Sequence, residues 1–299
     1  MASVALIVNA GSGAGRGPDA AELHALCRRR GIDAQLHALP PGGDFDAMLQ
    51  QALSGGPSVL VAAGGDGTVS SVAAAAIAHD LPLGILPIGT LNHFARDLDI
   101  PLEIEDAIDV LATGHERCVD VGTVNDRLFL NNASLGMYAT IVVDRERQQR
   151  RLGRGKWSAL LRATLAALRD PRPFEVTIQV EGRELRRTTP FVFIGNNDYE
   201  VQGPGTGQRA RLDDGTLSLY VLHPHTAFGL LWLAIRTLLR GTAGARDLDA
   251  FAVESLVVAT RGARVPVARD GEVDQFDSPV RFAVCSRALR VIAPAGDLG

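Results

Sequence analysis

Val59-Leu-Val-Ala-Ala-Gly64-Gly65-Asp66-Gly67-Thr68-Val69 compresses a buried strand, a glycine turn and a helix start into one short run. The apolar residues Ser58–Ala62 predict a strand, and the alanine-rich stretch Val69–His79 predicts the helix that follows. Between them, glycines let the backbone turn with φ > 0 and approach a ligand with no Cβ in the way, while the N–H groups of a helix start favour an anion. Phosphate is the anion this geometry suits best. Thr68 either caps the helix or bonds a phosphate oxygen. Asp66 either serves as N-cap or holds a Mg²⁺ ion that bridges phosphates.

Outward from that run, short apolar segments alternate with helical ones. Val4–Val8, Asp33–Leu39 and Leu83–Leu86 read as further strands, and segments around Ala21–Cys27 and Phe45–Leu53 as helices. Such alternation predicts βαβ units and a three-layer α/β domain with a parallel sheet. Loops that follow parallel strands gather at one edge of the sheet, where ligands bind. Two more loops belong to that edge. One runs from Asn9 through Gly11, Ser12 and Gly13. The other, Leu86–Arg96, offers Thr90 and Asn92 as hydrogen-bonding side chains and Arg96 as a partner for phosphate or for an acid in the sheet.

From about Val119 the apolar period shortens to two. Phe174–Val180, Pro190–Ile194, Thr216–Leu222, Phe251–Ala259, Arg264–Ala268 and Ala288–Ile292 are expected strands of an antiparallel β domain, interrupted by helices at Trp157–Leu168 and Phe228–Leu239. The expected division is residues 1–120 and 121–286, with the last strand, about 287–299, free to return to the first domain.

Composition agrees with this plan. A chain of 299 residues, 46% hydrophobic and 21% charged, has room for two ordered domains. A net charge of −4 gives no global field for nucleic acid. Cys27, Cys118 and Cys285 lack C-x-x-C spacing, which argues against a disulfide framework and a structural zinc site. The opening MASVALIVNA reads as a strand rather than a leader, so a cytoplasmic protein is expected. The apolar run Ala227–Ile235 ends at Arg236, well short of the ~20 residues of a spanning helix.

Taken in order, Asn9…Ser12-Gly13, Gly64-Gly65-Asp66-Gly67-Thr68, Pro87…Gly89-Thr90…Asn92…Phe94-Ala95-Arg96, Asn132-Ala133-Ser134-Leu135-Gly136 and Asp270-Gly271-Glu272 resemble the catalytic domain of the diacylglycerol kinase superfamily, which bacterial lipid kinases, sphingosine kinases and ceramide kinases share. The resemblance covers essentially the whole chain. It implies an α/β domain similar to that of phosphofructokinase and NAD kinase, a β-sandwich domain, and ATP in the cleft between them. It implies ATP contacts from Asn9, Gly11, Ser12, Gly13, Gly64, Gly65, Asp66, Gly67, Thr68, Val69, Ser70, Ser71, Thr90 and Asn92, with Asp66 near the catalytic Mg²⁺. Ser70-Ser71 stands where relatives commonly have Asn-Glu, and His93 where they commonly have Asp.

Phosphoryl transfer needs a carboxylate to orient the nucleophile and take its proton. By position in the family order, Glu272 is the expected base and Asp270 its partner or a metal-associated acid. By the same resemblance, Asp214 and the backbone carbonyls of Arg211 and Thr216 are the expected ligands of a structural Mg²⁺, with a metal-free hairpin turn as the alternative. The implied function is ATP-dependent phosphorylation of a lipid hydroxyl, diacylglycerol first, in phospholipid biosynthesis. An NAD kinase-like or other phosphofructokinase-like kinase, and a catalytically silent nucleotide- or lipid-binding protein, are the alternatives. The lipid would be presented at a membrane surface, with peripheral membrane contact, and a homodimer stays open. The basic run Arg145–Lys156 reads as a solvated segment that can rest on anionic head groups.

Overall fold

The structure, a computed structural model, describes residues 3–9, 18–40, 42–136, 173–199, 209, 211–222 and 248–295. Gly11, Ser12 and Gly13, the basic run Arg145–Lys156 and the expected helices Trp157–Leu168 and Phe228–Leu239 lie outside the described residues. The chain divides into two compact units, Met1–Val119 with Arg287–Gly299, and Asp120–Ser286.

In the first unit, strands β1 (Val4–Val8), β2 (Ala34–Ala38), β3 (Val59–Gly64) and β4 (Leu83–Pro87) form a parallel sheet in the order β2-β1-β3-β4. The end of the last strand, β16 (Val280–Ala293), lies parallel to β4, with Val291 opposite Leu83. Central strands of a parallel sheet are covered on both faces, and β4 is accordingly buried at every residue from Leu83 to Pro87. The helices are α1 (Ala20–Arg29), α2 (Phe45–Ser54), α3 (Asp66–Ala78), α4 (His93–Asp97) and α5 (Ile104–Thr113). Asp19 caps α1 by accepting from the N–H of Glu22 at 2.8 Å, and Asp44 caps α2 by accepting from Ala47 at 3.1 Å. α3 packs on β3 and β4, whereas α5 packs on β4 and α1. Val69, Val72, Ala73 and Ala76 of α3 are buried with Leu60 and Leu86, so this helix is pinned to the sheet by its apolar side chains.

The second unit holds two antiparallel sheets over one core. After the hairpin of β5 (His115–Val124) and β6 (Arg127–Phe129), the strands are β7 (Asn132–Gly136), β8 (Phe174–Val180), β9 (Arg183–Thr189), β10 (Phe191–Asn196), β11 (Leu217–Leu222), β12 (Leu248–Val253), β13 (Ser255–Thr260), β14 (Arg264–Arg269) and β15 (Glu272–Asp277). One sheet runs β12-β11-β10-β7-β14-β15; in the other, β13 lies between β8 and the start of β16, and β9 pairs with β8. Leu135, Ile194 and Leu219 of the first sheet meet Ile178, Val258 and Phe282 of the second in a shared apolar core. This is a β-sandwich.

Two elements depart from the sequence reading. The expected helix start at Val69 lies at Asp66, because the helix begins inside the glycine turn. The single expected strand Phe251–Ala259 is two strands in two sheets, β12 on β11 and β13 on β8. The physical reason is a slip in the alternation: Glu254 and Ser255 are exposed in succession, so the chain changes sheets there. Among the described residues no helix is long and apolar enough to cross a membrane.

Candidate functional site

The glycine run in the first unit is built by exclusion of side chains. A Cβ on Gly64 would sit 2.5 Å from the Cβ of Thr68, and one on Gly89 would sit 2.4 Å from the Cα of Gly65 and 2.6 Å from Asn92 Oδ1. The turn after β3 and the turn after β4 therefore meet backbone to backbone. Gly65 is the N-cap of α3 with φ −89° and ψ −178°, and no side chain caps the helix. Asp66 is the first helical residue, which corrects the reading of it as N-cap. The N–H groups of such a first turn and the helix dipole suit an anion.

Side chains then tie the three loops together. Asn9 Nδ2 donates to Thr68 Oγ1 at 3.2 Å, so the buried Thr68 hydroxyl is an acceptor within the fold rather than a cap. Asn92, left-handed at φ 53° and 8% exposed, donates from Nδ2 to the carbonyls of Pro87 and Gly89, each at 3.1 Å. The N–H of Phe94 donates to Asp66 Oδ1 at 3.4 Å. Asp66 keeps a second carboxylate oxygen to which no donor is directed among the hydrogen bonds of the described residues. Mg²⁺ on a nucleotide is held mostly by phosphate and water with one or two carboxylates, and Asp66 fits that use.

Other expected contacts fall differently. Val69 and Ser70 are buried, so Val69 can offer a ligand only its backbone. The Ser71 hydroxyl donates to the carbonyl of Gly67 at 3.0 Å, inside its own helix. Thr90 and His93 are exposed. Arg96 Nε donates to the carbonyl of Leu91 at 3.0 Å, so its described hydrogen bond closes the local loop.

In the second unit, Asp270 and Gly271 form the two-residue turn between β14 and β15, with φ 46° and 87°. Both residues at positive φ is the condition for the tight hairpin turn that Asp-Gly favours. The Asp270 carboxylate reaches across to a neighbouring backbone segment. Its Oδ2 accepts from Leu130 N–H at 2.8 Å, and its Oδ1 from Asn131 at 2.8 Å and Asn132 at 3.3 Å. Glu272 begins β15 opposite Arg269 and is exposed. Asp270 is anchored, and Glu272 projects.

Sequence reasoning missed the network beneath. Arg209, 5% exposed, donates to the carbonyls of Leu130 (2.7 Å) and Asn196 (3.2 Å) and to Asn131 Oδ1 (2.9 Å). Asp120, 1% exposed, accepts from Gly215 N–H at 2.7 Å. Nothing in Arg209-Ala-Arg or in the strand residue Asp120 distinguishes a buried charge from a surface one. Asn196-Asn197, an amide pair closing an apolar strand, was the available signal.

In the Arg211–Thr216 turn the two acids face an arginine. The Arg211 guanidinium lies 3.3 Å from Asp213 Oδ1 and 3.1 Å from Asp214 Oδ1. The hydrogen bond to Asp213, then the charges of Asp213 and Asp214, push Arg211 further up from its ordinary value. The Thr216 carbonyl accepts from Asn197 N–H at 2.9 Å, and Asp214 N–H donates to Asn197 Oδ1 at 3.0 Å. The acid's charge is met by an arginine, with which a cation would have to compete. Among the described residues no three His, Cys, Asp or Glu side chains converge.

Residues 3–124 match the family described as the diacylglycerol kinase catalytic domain, and residues 133–293 match the YegS C-terminal NAD kinase beta sandwich-like domain. A Pseudomonas aeruginosa (strain UCBPP-PA14) protein named "Probable lipid kinase YegS-like" is 32% identical over 278 residues, which is 91% of this chain and 88% of that protein. A protein named diacylglycerol kinase from Staphylococcus aureus (strain JH9) is 28% identical over 65% of this chain and 62% of its own length. The crystal structure of a diacylglycerol kinase from Bacillus anthracis str. Sterne superposes with a TM-score of 0.69 over 98% of this chain and 97% of its own, at 19% identity, a likeness of fold.

Proposed function

Because the chain belongs to the family of the diacylglycerol kinase catalytic domain joined to a YegS-type β-sandwich, we propose that it is an ATP-dependent lipid kinase that phosphorylates the hydroxyl of diacylglycerol or a related lipid. The lipid oxygen attacks the γ-phosphorus, the bond to the β–γ bridging oxygen breaks, and ADP leaves. The observation that carries the reading is the seat made where Gly89 closes on Gly65 beside the uncapped start of α3, with Asp66 at its lip. Backbone N–H groups there suit the phosphates, and Asp66 would hold the Mg²⁺ that neutralises their developing charge.

Glu272 is the group assigned to take the hydroxyl proton, since the Asp270 carboxylate is occupied by three backbone N–H groups. A lipid acceptor would be met at a membrane surface, placing the protein on its cytoplasmic face and in phospholipid metabolism. The test is incubation of the purified chain with γ-labelled ATP, Mg²⁺, and vesicles carrying diacylglycerol, sphingosine or ceramide, with NAD in a parallel reaction. Label in a lipid is expected. Label in NAD alone, or ATP binding with no transfer to any acceptor, would replace this reading with one of its two alternatives.

A further inference from the structure

We infer that Arg209 is a positioning residue for the Asp270-Gly271-Glu272 hairpin, acting on Asp270 through the single peptide that joins Leu130 to Asn131. The carbonyl of that peptide accepts from Arg209 Nη1 at 2.7 Å, and its N–H donates to Asp270 Oδ1 at 2.8 Å. One amide thus carries a cation on its oxygen and an anion on its nitrogen, and each charge polarises it in the sense that strengthens the other hydrogen bond. The second lone pair of the Leu130 carbonyl takes Asn196 Nδ2 at 2.9 Å.

The next peptide is held the same way with neutral donors. The Asn131 carbonyl accepts from Tyr199 Oη and Asn196 N–H, each at 2.9 Å, and Asn132 N–H donates to Asp270 Oδ1 at 3.3 Å. The Arg209 guanidinium also lies 5.8 Å from the Tyr199 ring centroid and bonds Asn131 Oδ1, so its fork is fixed in direction as well as place. Burying a guanidinium is costly, and the segment it meets from one side is the segment Asp270 caps from the other. The inference depends on the proposed phosphotransfer only for its effect on rate.

Arg209→Gln, Asp270→Asn and the double variant of the full chain, unfolded in urea, decide it without any activity. The double variant is expected to lose clearly less stability than the sum of the singles, and amides in the peptide covering residues 130–132 to exchange faster in each single variant. Additive losses, or unchanged exchange at that segment, overturn the inference. If Arg209→Gln does not fold, Arg209→Lys takes its place in the cycle.

In the lipid phosphorylation assay Arg209→Gln should lower kcat about tenfold, as loss of outer-shell partners of functional groups does. KM for ATP should stay within about twofold, and Arg209→Lys should recover part of the loss. A kcat equal to wild type, or a loss that Lys does not relieve, counts against it. Wild-type protein that labels no lipid counts against the proposed function alone, and the stability cycle still decides the role of Arg209.

Discussion

The turn after β3 and the turn before β15 both end a strand with glycine, yet the two glycines answer different demands. Gly65 has an ordinary φ of −89°, and what is needed there is room, because a Cβ on the facing Gly89 would sit 2.4 Å from the Cα of Gly65. Gly271 has φ 87° and nothing within 4 Å of where a Cβ would be, so its demand is conformational. The acids beside them differ in parallel. Asp66 accepts one long N–H bond of 3.4 Å, whereas Asp270 accepts three. One region clears side chains away and leaves its acid available to a ligand. The other packs polar side chains together and uses its acid as a brace.

The largest expected effect tests the available acid. Asp66→Ala should reduce label transfer to lipid by at least about a hundredfold, the scale of losing a preorganised group that stabilises transferring charge. Its unfolding free energy should change by less than about 1 kcal/mol, since only one stretched hydrogen bond is lost. Full activity in that variant would remove Asp66 from the site and break the contrast with Asp270.

A matched pair of substitutions separates room from conformation. Gly89→Ala drives a methyl into the Gly65 backbone, which cannot yield as a flexible side chain would, and should cost about 1–3 kcal/mol of stability. It should also weaken ATP binding by about tenfold, the equivalent of 1.4 kcal/mol. Gly271→Ala meets no atom but forces an L-residue into the left-handed region, at about 1–2 kcal/mol, and should leave ATP affinity unchanged. Equal effects on ATP, measured by calorimetric titration of both variants, would erase the distinction.

The parallel sheet of the first unit was legible because β1, β3 and β4 are apolar runs followed by turn signals, and the loops that meet at its edge followed from topology. The glycine turn itself was legible, but its glycines were read as serving a positive φ. Gly64, Gly65 and Gly89 have no such angle; a close approach between distant loops leaves no mark on local sequence. The two-sheet path through Glu254 was hidden because Phe251–Ala259 stays apolar enough to pass for one strand. Arg209 was hidden for another reason. Its acceptors come from residues 130, 131 and 196, and no spacing rule relates positions so far apart. Arg96 reads as a partner for phosphate or for an acid in the sheet, and its described bond is instead to the Leu91 carbonyl five residues back.

The smallest expected effect sets the two units apart by pH. In the first, His37 Nε2 is buried with no hydrogen-bond partner among the described residues, and burial lowers the imidazole from its ordinary 6.5. The folded state therefore favours neutral His37. Its contribution is whole above pH 6.5 and is lost as acid protonates the unfolded chain but not the folded one. In the second unit, burial first and then the charge of Asp198, 3.3 Å from the hydroxyl, raise Tyr220 above its ordinary 10.0. That contribution is whole below pH 10.0 and is lost as pH rises toward the folded value, because only the unfolded chain has released its proton. Hydrogen exchange followed peptide by peptide should show β2 loosening first as pH falls below 6.5 and β11 first as pH rises above 10.0. His37→Gln should remove the acid response and leave the alkaline one, and Tyr220→Phe the reverse. If either variant moved both responses, the two units would be unfolding as one, and the contrast between their turns would carry no difference in local stability.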